Sequence, residues 1–345
     1  MVNDIMATIL GIESTCDETA AAVVVDGHEV RSSVVASQIE LHAKYRGVVP
    51  EIASRAHIEN ILPVVREAIE QAGTSLEEVD AVAVAYRPGL IGSLLIGVTA
   101  AKALAWATGK PLIPVDHVHA HLYSVVLGDV EEPPMPAVGL VVSGGHTGLY
   151  LLEDLSRVSL MGRTIDDAVG EAFDKVSGIL GLSYPGGPVI DELAASGDAR
   201  AVKFPRTMLG RESLDFSFSG LKTAVLYHVC GHQGRERDAG SLSQQAIADV
   251  AASFQAACID VIVRKLDRAI ARSGARSIIV GGGVSANRGL RAALTDWRLP
   301  TFLPASRFCT DNAAMTAGLG HVHYRAGRLG GLDLDAVTYS EFRRG

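Results

Sequence analysis

The chain has 345 residues and a formal net charge of −8, with 48% hydrophobic but only 5% aromatic residues. That length holds two domains with substantial cores, and the Ala/Val/Leu/Gly-rich composition fits an α/β enzyme. The acidic balance excludes a protein that coats nucleic acid non-specifically, because phosphate binding draws on clustered Lys and Arg, so any nucleic-acid contact must be local.

The N-terminal stretch "MVNDIMATILGIES" has no basic region or cleavage site, so no secretory signal and a cytoplasmic location are expected. Residues 7–12 and 20–25 read as strands around the turn "STCDET", which carries Asp17 and Glu18. Residues 50–72 read as a helix with Ile58, Ile61, Leu62, Val65 and Ile69 on one apolar face and Pro63 able to kink it. "AVAVAY" reads as a buried strand, and residues 91–108 as a small-residue helix ended by Gly109 and Pro111. The uncharged run from Pro88 to Ala101 holds a proline and three glycines and stops at Lys102, too short to span a bilayer, so no membrane segment is expected.

The strand "PLIPV" then delivers "DHVHAHLYS". If the chain turns helical there, His117 and His121 share one face while His119 points elsewhere. Zinc peptidases use two helical histidines spaced this way with a glutamate beside the first, but here that neighbour is Val118. Read alone, the pair serves equally as hydrogen-bonded histidines or as two ligands awaiting a third. Four scattered cysteines, Cys16, Cys230, Cys258 and Cys309, lack a CxxC pair and are expected as free thiols.

After the connector "GDVEEPPMP", "AVGLVVSGGHTGLYLLE" repeats the earlier layout of apolar strand, tight turn and apolar strand, which points to two similar lobes. A helix around 166–181, the turn "SYPGGPVIDE", the loop "CGHQGRERDAGS" and a long helix from about 243 to 273 follow. The strand "SIIVGGG", a helix opening at "VSANRGL", a short strand at 300–303 and a helix starting at "CTDNAAM" complete the chain. In "VVSGGHT", Ser143, Gly144 and Gly145 follow a strand where missing side chains let backbone N–H groups reach a phosphate or carboxylate, or where a plain hairpin suffices. The triple glycine of "IIVGGGVSANRG" lacks GxGxxG spacing, so a dinucleotide site is not expected. Asp311 in "CTDN" is placed to cap a helix or to supply a third metal ligand. Two segments offer local basic charge: "HAKYRGVVPEIASRAH" with Lys44, Arg46 and Arg55, and "KFPRTMLGRESLDFSFSGLKTAV" with Lys203, Arg206, Arg211 and Lys222.

Taken together, "GIESTCDET", "GVVPEIASRAH", "RPGLIGSLLIG", the His117–His121 segment, "LVVSGGHT", "DDAVGEAFDKV", "YPGGP", "SFSGLKTAV", "GGGVSANRGLR" and "CTDNAAM" resemble the tRNA N6-adenosine threonylcarbamoyltransferase family, once described as O-sialoglycoprotein endopeptidases. The blocks stand in the family's order from about residue 9 to 325. The resemblance implies a two-lobed α/β fold like that of actin, Hsp70 and sugar kinases (the ASKHA fold), with duplicated RNase H-like domains and a nucleotide cleft between them. Residues 1–128 plus 305–345 would form one lobe and 129–304 the other. The implied reaction passes threonylcarbamoyl from threonylcarbamoyl-AMP to N6 of adenosine 37 in tRNAs reading codons that begin with A, making t6A and releasing AMP.

Residue by residue, the resemblance puts metal ligands at His117, His121 and Asp311, with Fe(2+) as the expected ion and Zn(2+) as the alternative. It puts the adenylate against Val141, Val142, Ser143, Gly144 and Gly145, with Asp174, Gly187, Asp191 and Asn287, and makes Asp17 and Glu18 acids needed for activity. Archaeal and eukaryotic relatives carry a tyrosine ligand where this chain has Val141, so the bacterial type of site, with three protein ligands, is implied. The implied partners are tRNA, a paralogous actin-like subunit and a small ATPase.

Overall fold

A computed structural model describes residues 6–128, 130–231 and 239–342. Strands β1 (Thr8–Glu13), β2 (Glu18–Val25) and β3 (Glu29–Ser37) form an antiparallel meander. After helices α1 (Ile39–Ala43) and α2 (Pro50–Ala72), β4 (Ala81–Arg87) joins parallel to β1. Beyond α3 (Ile91–Thr108), β5 (Leu112–Asp116) joins parallel to β4 and runs directly into α4 (His117–Tyr123). The second half repeats this plan. The meander β6 (Ala137–Val142), β7 (Thr147–Asp154) and β8 (Arg157–Arg163) is followed by helices α5 (Val169–Ile179), α6 (Gly186–Ala194), α7 (Ser219–Cys230) and α8 (Gln244–Ser273). Then β9 (Ser277–Gly281) adds parallel to β6 and, after α9 (Arg288–Leu294), β10 (Thr301–Phe302) adds parallel to β9. Helix α10 (Ala313–Arg325) follows.

The two sheets have the spatial orders β3-β2-β1-β4-β5 and β8-β7-β6-β9-β10, so the repeated strand-turn-strand in the sequence marks two copies of one topology. Strand alternation divides the interior into three cores. On β1, Leu10 and Ile12 face α2 and α3, whereas Ile9 faces a central layer in which α4 and α10 lie between the sheets. On β6, Val138, Leu140 and Val142 face the third core, built with α5, α7 and α8, while Ala137 and Val141 face the central layer. A side chain at Gly11 would stand 2.4 Å from Ala313 O, so this glycine is what lets α10 lie on β1. Helices α3 and α8 have the length and apolar composition to cross a membrane, yet α8 is largely buried against the second sheet and α3 packs on β4 and α2.

Several expectations change. Strands β3 and β8 were not expected: as outer strands they alternate exposed and covered residues and lack the continuous apolar run of the inner strands. Helix α2 runs through Pro63, but Ile58 and Leu62 are exposed, because the face that packs is centred on Ala53, Ala56, Ile61, Val64, Val65 and Ala68, whose alanines let the helix approach the sheet. "YPGGP" is less a turn than a helix start, with Gly186, Gly187 and Pro188 forming the first turn of α6 and Asp191 on the helix. Most of the expected loop "CGHQGRERDAGS", residues 232–238, lies outside the described residues, as do residues 1–5 of the N-terminal stretch.

Candidate active site

Asp116, the last residue of β5, caps α4: its Oδ1 accepts from Val118 N at 3.0 Å and from His119 N at 3.2 Å. The helix therefore starts at His117 and places His117 and His121 side by side, ring centroids 4.6 Å apart. Asp311 is not the helix cap of α10. That role belongs to Asn312, whose Oδ1 accepts from Met315 N at 3.1 Å, and this leaves Asp311 facing the histidines. Asp311 Oδ1 lies 3.1 Å from His121 Nε2 and 3.6 Å from His117 Nε2. One ligand atom from each of the three residues falls within 4.8 Å of the others, a group able to hold a metal ion. His119 turns away and donates from Nε2 to Leu155 O at 2.9 Å, and burial pushes its imidazole down to about 3.

Glu13 is a residue of this site that the sequence reading missed. Fully buried at the end of β1, it accepts from His117 Nδ1 at 3.1 Å, from Thr316 Oγ1 at 3.0 Å and from Thr15 N at 3.0 Å. Its signal was positional: Glu13 follows Ile9 and Gly11 on the face of β1 toward α10, where an acid needs a partner. With His117 Nδ1 donating to Glu13, Nε2 is left aimed at Asp311, the carboxylate–histidine arrangement that orients a metal ligand. Burial lowers His117, yet the charges of Glu13 and Asp311 outweigh it and hold the imidazole up at about 9. Burial likewise opposes ionisation of Asp311, but His117 and His121 hold its carboxyl well below the usual range. His121 Nδ1 is buried with no hydrogen-bond partner among the described residues. Two imidazoles, one of them braced from behind by Glu13, and a carboxylate fit a first-row divalent cation.

The turn after β1 carries two more acids, Asp17 and Glu18. Glu18 Oε1 accepts from Ser37 Oγ at 3.4 Å, and burial, then the charges of Asp311 and Asp17, push its carboxyl up to about 10. Burial and Asp17 also push the Cys16 thiol up.

Beside the histidines stands the "VSGG" turn. Ser143 N donates to His146 O at 2.8 Å and His146 N to Ser143 Oγ at 3.0 Å, closing the hairpin, and the His146 ring is 6.0 Å from that of His117. Burial, then His117 and His121, push His146 down to about 3. Val141 and Val142 bury their side chains on opposite faces of the sheet, so only their backbone is available to a ligand. Gly144 and Gly145 are exposed, with open space where side chains would stand. Gly170, at the start of α5, is different: its N donates to Ser143 O at 3.1 Å, and a side chain there would stand 2.6 Å from that oxygen.

The remaining expected contacts are already tied into the frame. Asp174 Oδ1 accepts from Gly186 N at 2.7 Å, and burial raises its carboxyl. Gly187 faces open space. Asp191 is paired with Arg288, Oδ2 to Nε at 2.7 Å, and Asn287 caps α9 through Leu290 N at 2.9 Å while its Nδ2 donates to Gln255 Oε1 at 2.7 Å. The structure also joins two sequence blocks: Asp166 accepts from Ser217 Oγ, Phe218 N and Ser219 N, and Asp167 bridges Lys175 and Lys222 at 2.8 Å each.

With this geometry in place, comparison decides the family. The TsaD family model, described as tRNA N6-adenosine threonylcarbamoyltransferase, matches residues 29–318. The chain belongs to this family. The protein of that name from Symbiobacterium thermophilum is 53% identical over 95% of each chain, and the one from Moorella thermoacetica 52% identical over 95% of each. Solved structures with a similar fold include HypF from T. kodakarensis, TM-score 0.62 at 14% identity over 94% of this chain and 48% of that one. Component A of the Acidaminococcus fermentans (R)-2-hydroxyglutaryl-CoA dehydratase has a TM-score of 0.53 at 15% identity over 93% and 99%. At those identities the likeness shows the two-lobed actin-like fold alone. In this threonylcarbamoyltransferase-family chain the zinc-peptidase pattern is incomplete, because Val118 and not a glutamate follows His117.

Proposed function

We propose that the chain forms t6A by passing threonylcarbamoyl from threonylcarbamoyl-AMP to N6 of adenosine 37 in tRNAs reading A-initial codons. The supporting observation is the convergence of His117, His121 and Asp311 next to the open turn at Gly144 and Gly145, with the His146 ring 6.0 Å from that of His117. A divalent ion held by these three residues, Fe(2+) or else Zn(2+), would polarise the acyl group and neutralise phosphate charge. The backbone of Val141–Gly145 receives the phosphate side of the adenylate, Asp174, Gly187 and Asp191 line the ribose side, and the turn at Asn287 takes the base. Attack by the N6 amine forms the new C–N bond and breaks the anhydride C–O bond, and AMP leaves with the electron pair. A carboxylate of the Asp17–Glu18 pair takes the proton from the attacking amine.

In this reading residues 1–128 with 305–345 form one lobe and 129–304 the other, and the paralogous actin-like subunit and small ATPase complete the working complex in the cytoplasm. An ATPase reading of the same fold leaves His117, His121 and Asp311 without a task. The test is single-turnover transfer from preformed adenylate to tRNA. Asp17→Asn and Glu18→Gln should keep the fold and the adenylate but slow transfer by roughly 10²- to 10⁴-fold, the usual contribution of a positioned base. Wild-type rates in both variants would remove these acids from the mechanism.

A further inference from the structure

The turn between α1 and α2 carries side chains that the site described above does not use. Tyr45 is 51% exposed, with Lys44 Nζ 4.9 Å above its ring. Arg46 adopts a left-handed φ of 57°, unfavourable for a residue with a side chain, and its Nη1 donates to Gly178 O of α5 at 3.4 Å. The tip is exposed but its root is fixed. His42 is fully buried, accepts from Val49 N through Nδ1 at 3.3 Å and donates from Nε2 to Gln38 Oε1 at 3.2 Å. Gln38 in turn donates from its backbone N to Asp17 O at 3.1 Å and from Nε2 to Ala53 O at 3.4 Å. The lip is thus mounted on the acid turn of the first sheet and reaches across to α5, the helix that carries Asp174. It stands between the acid turn and α5.

We propose that Lys44, Tyr45 and Arg46 form a platform on which a base neighbouring the reacting adenosine stacks, in a single-stranded RNA loop. This rests on the reading that the chain modifies an adenosine of tRNA. Unpaired bases of RNA loops are recognised by stacking on aromatic rings or guanidinium planes, and here one of each sits with an ammonium beside the site. A net charge of −8 means that phosphate attraction must come from a few cations close to the substrate, which Lys44 and Arg46 are placed to supply. A rigid root under an exposed ring keeps little ordering entropy to be lost on binding.

The experiment uses the full-length, metal-loaded chain in its complete complex with a fluorescent anticodon stem-loop, intact or with an abasic nucleotide beside the adenosine. Binding is read by anisotropy and transfer separately by kinetics. Tyr45→Ala should weaken binding of the intact loop and raise KM for tRNA by roughly tenfold, with adenylate affinity and metal content unchanged. Tyr45→Phe should restore both, and the abasic loop should bind wild type and Tyr45→Ala alike. Lys44→Ala and Arg46→Ala should each flatten the salt dependence of binding. Unchanged loop binding in Tyr45→Ala overturns the platform, as does a variant that fails to assemble with its partner proteins while binding RNA normally, which would make the lip a protein-docking surface. A wild type that binds the loop through Tyr45 yet transfers nothing sinks the reaction and leaves the platform standing.

Discussion

Two neighbouring parts of the site are built from different materials. At the histidine side, side chains carry the site: His117, His121 and Asp311 converge, Glu13 and Thr15 hold His117 from behind, and Thr316 holds Glu13, all of them buried or nearly so. At the glycine turns beside it, backbone is exposed. Gly144, Gly145 and Gly187 face open space, while Asp174, Asp191 and Asn287 already bond to Gly186, Arg288 and Leu290. A charged ion needs donor atoms fixed before it arrives, because a buried ligand without partners is costly. A phosphate and sugar can instead be met by amides and glycine space, which demand an accurate frame more than particular side chains.

The contrast is broken most strongly by removing a ligand. His117→Ala, His121→Ala and Asp311→Ala should each lose bound metal on elemental analysis, whereas His119→Ala, bonded to Leu155 O, should retain it. Full metal content in His117→Ala would end the assignment. Next in size is Glu13→Gln, which keeps the shape but removes the charge behind His117. Metal affinity by competition titration should fall roughly 10- to 100-fold, and an unchanged affinity would reduce Glu13 to a packing residue.

The glycine side is probed by a pair of substitutions. Gly170→Ala forces a carbon against Ser143 O and should lower the melting temperature and disorder the turn. Gly144→Ala meets nothing in the protein, so melting should stay at the wild-type value while adenylate affinity drops about tenfold, the equivalent of ~1.4 kcal/mol. Equal behaviour of the two variants in both assays would erase the distinction between frame and binding surface.

The paired strand-turn-strand units, the His117–His121 face and the long helix α8 were all legible because each is a local pattern of period or spacing. The distant candidate ligand Asp311 and the expected adenylate contacts came from resemblance, since no local rule links residues so far apart. Glu13 escaped because its meaning depends on α4 and α10 folding over β1. The exposed Ile58 and Leu62 were misplaced for a related reason: periodicity finds a helix but not which of two adjoining faces the sheet accepts.

The smallest effect concerns the clasp at Asp166 and Asp167. Burial opposes their ionisation, but hydrogen bonds from Ser217, Phe218 and Ser219 lower Asp166, and Lys175 and Lys222 lower Asp167. A depressed folded value adds stability above the ordinary aspartate range and loses it as pH falls through the folded value. Thermal melting of Asp166→Asn should therefore lie below wild type at neutral pH, and the two curves should converge in acid. A constant gap at all pH values would show that ionisation is not what the clasp uses.

The central claim is tested most directly by nucleoside mass spectrometry of a tRNA reading A-initial codons. The chain and its partner subunits would be incubated with a threonylcarbamoyl-AMP synthase, threonine, bicarbonate and ATP. The wild-type chain should yield t6A and Asp311→Ala should yield almost none. Unmodified adenosine with the complete wild-type mixture, or undiminished t6A with Asp311→Ala, would contradict it.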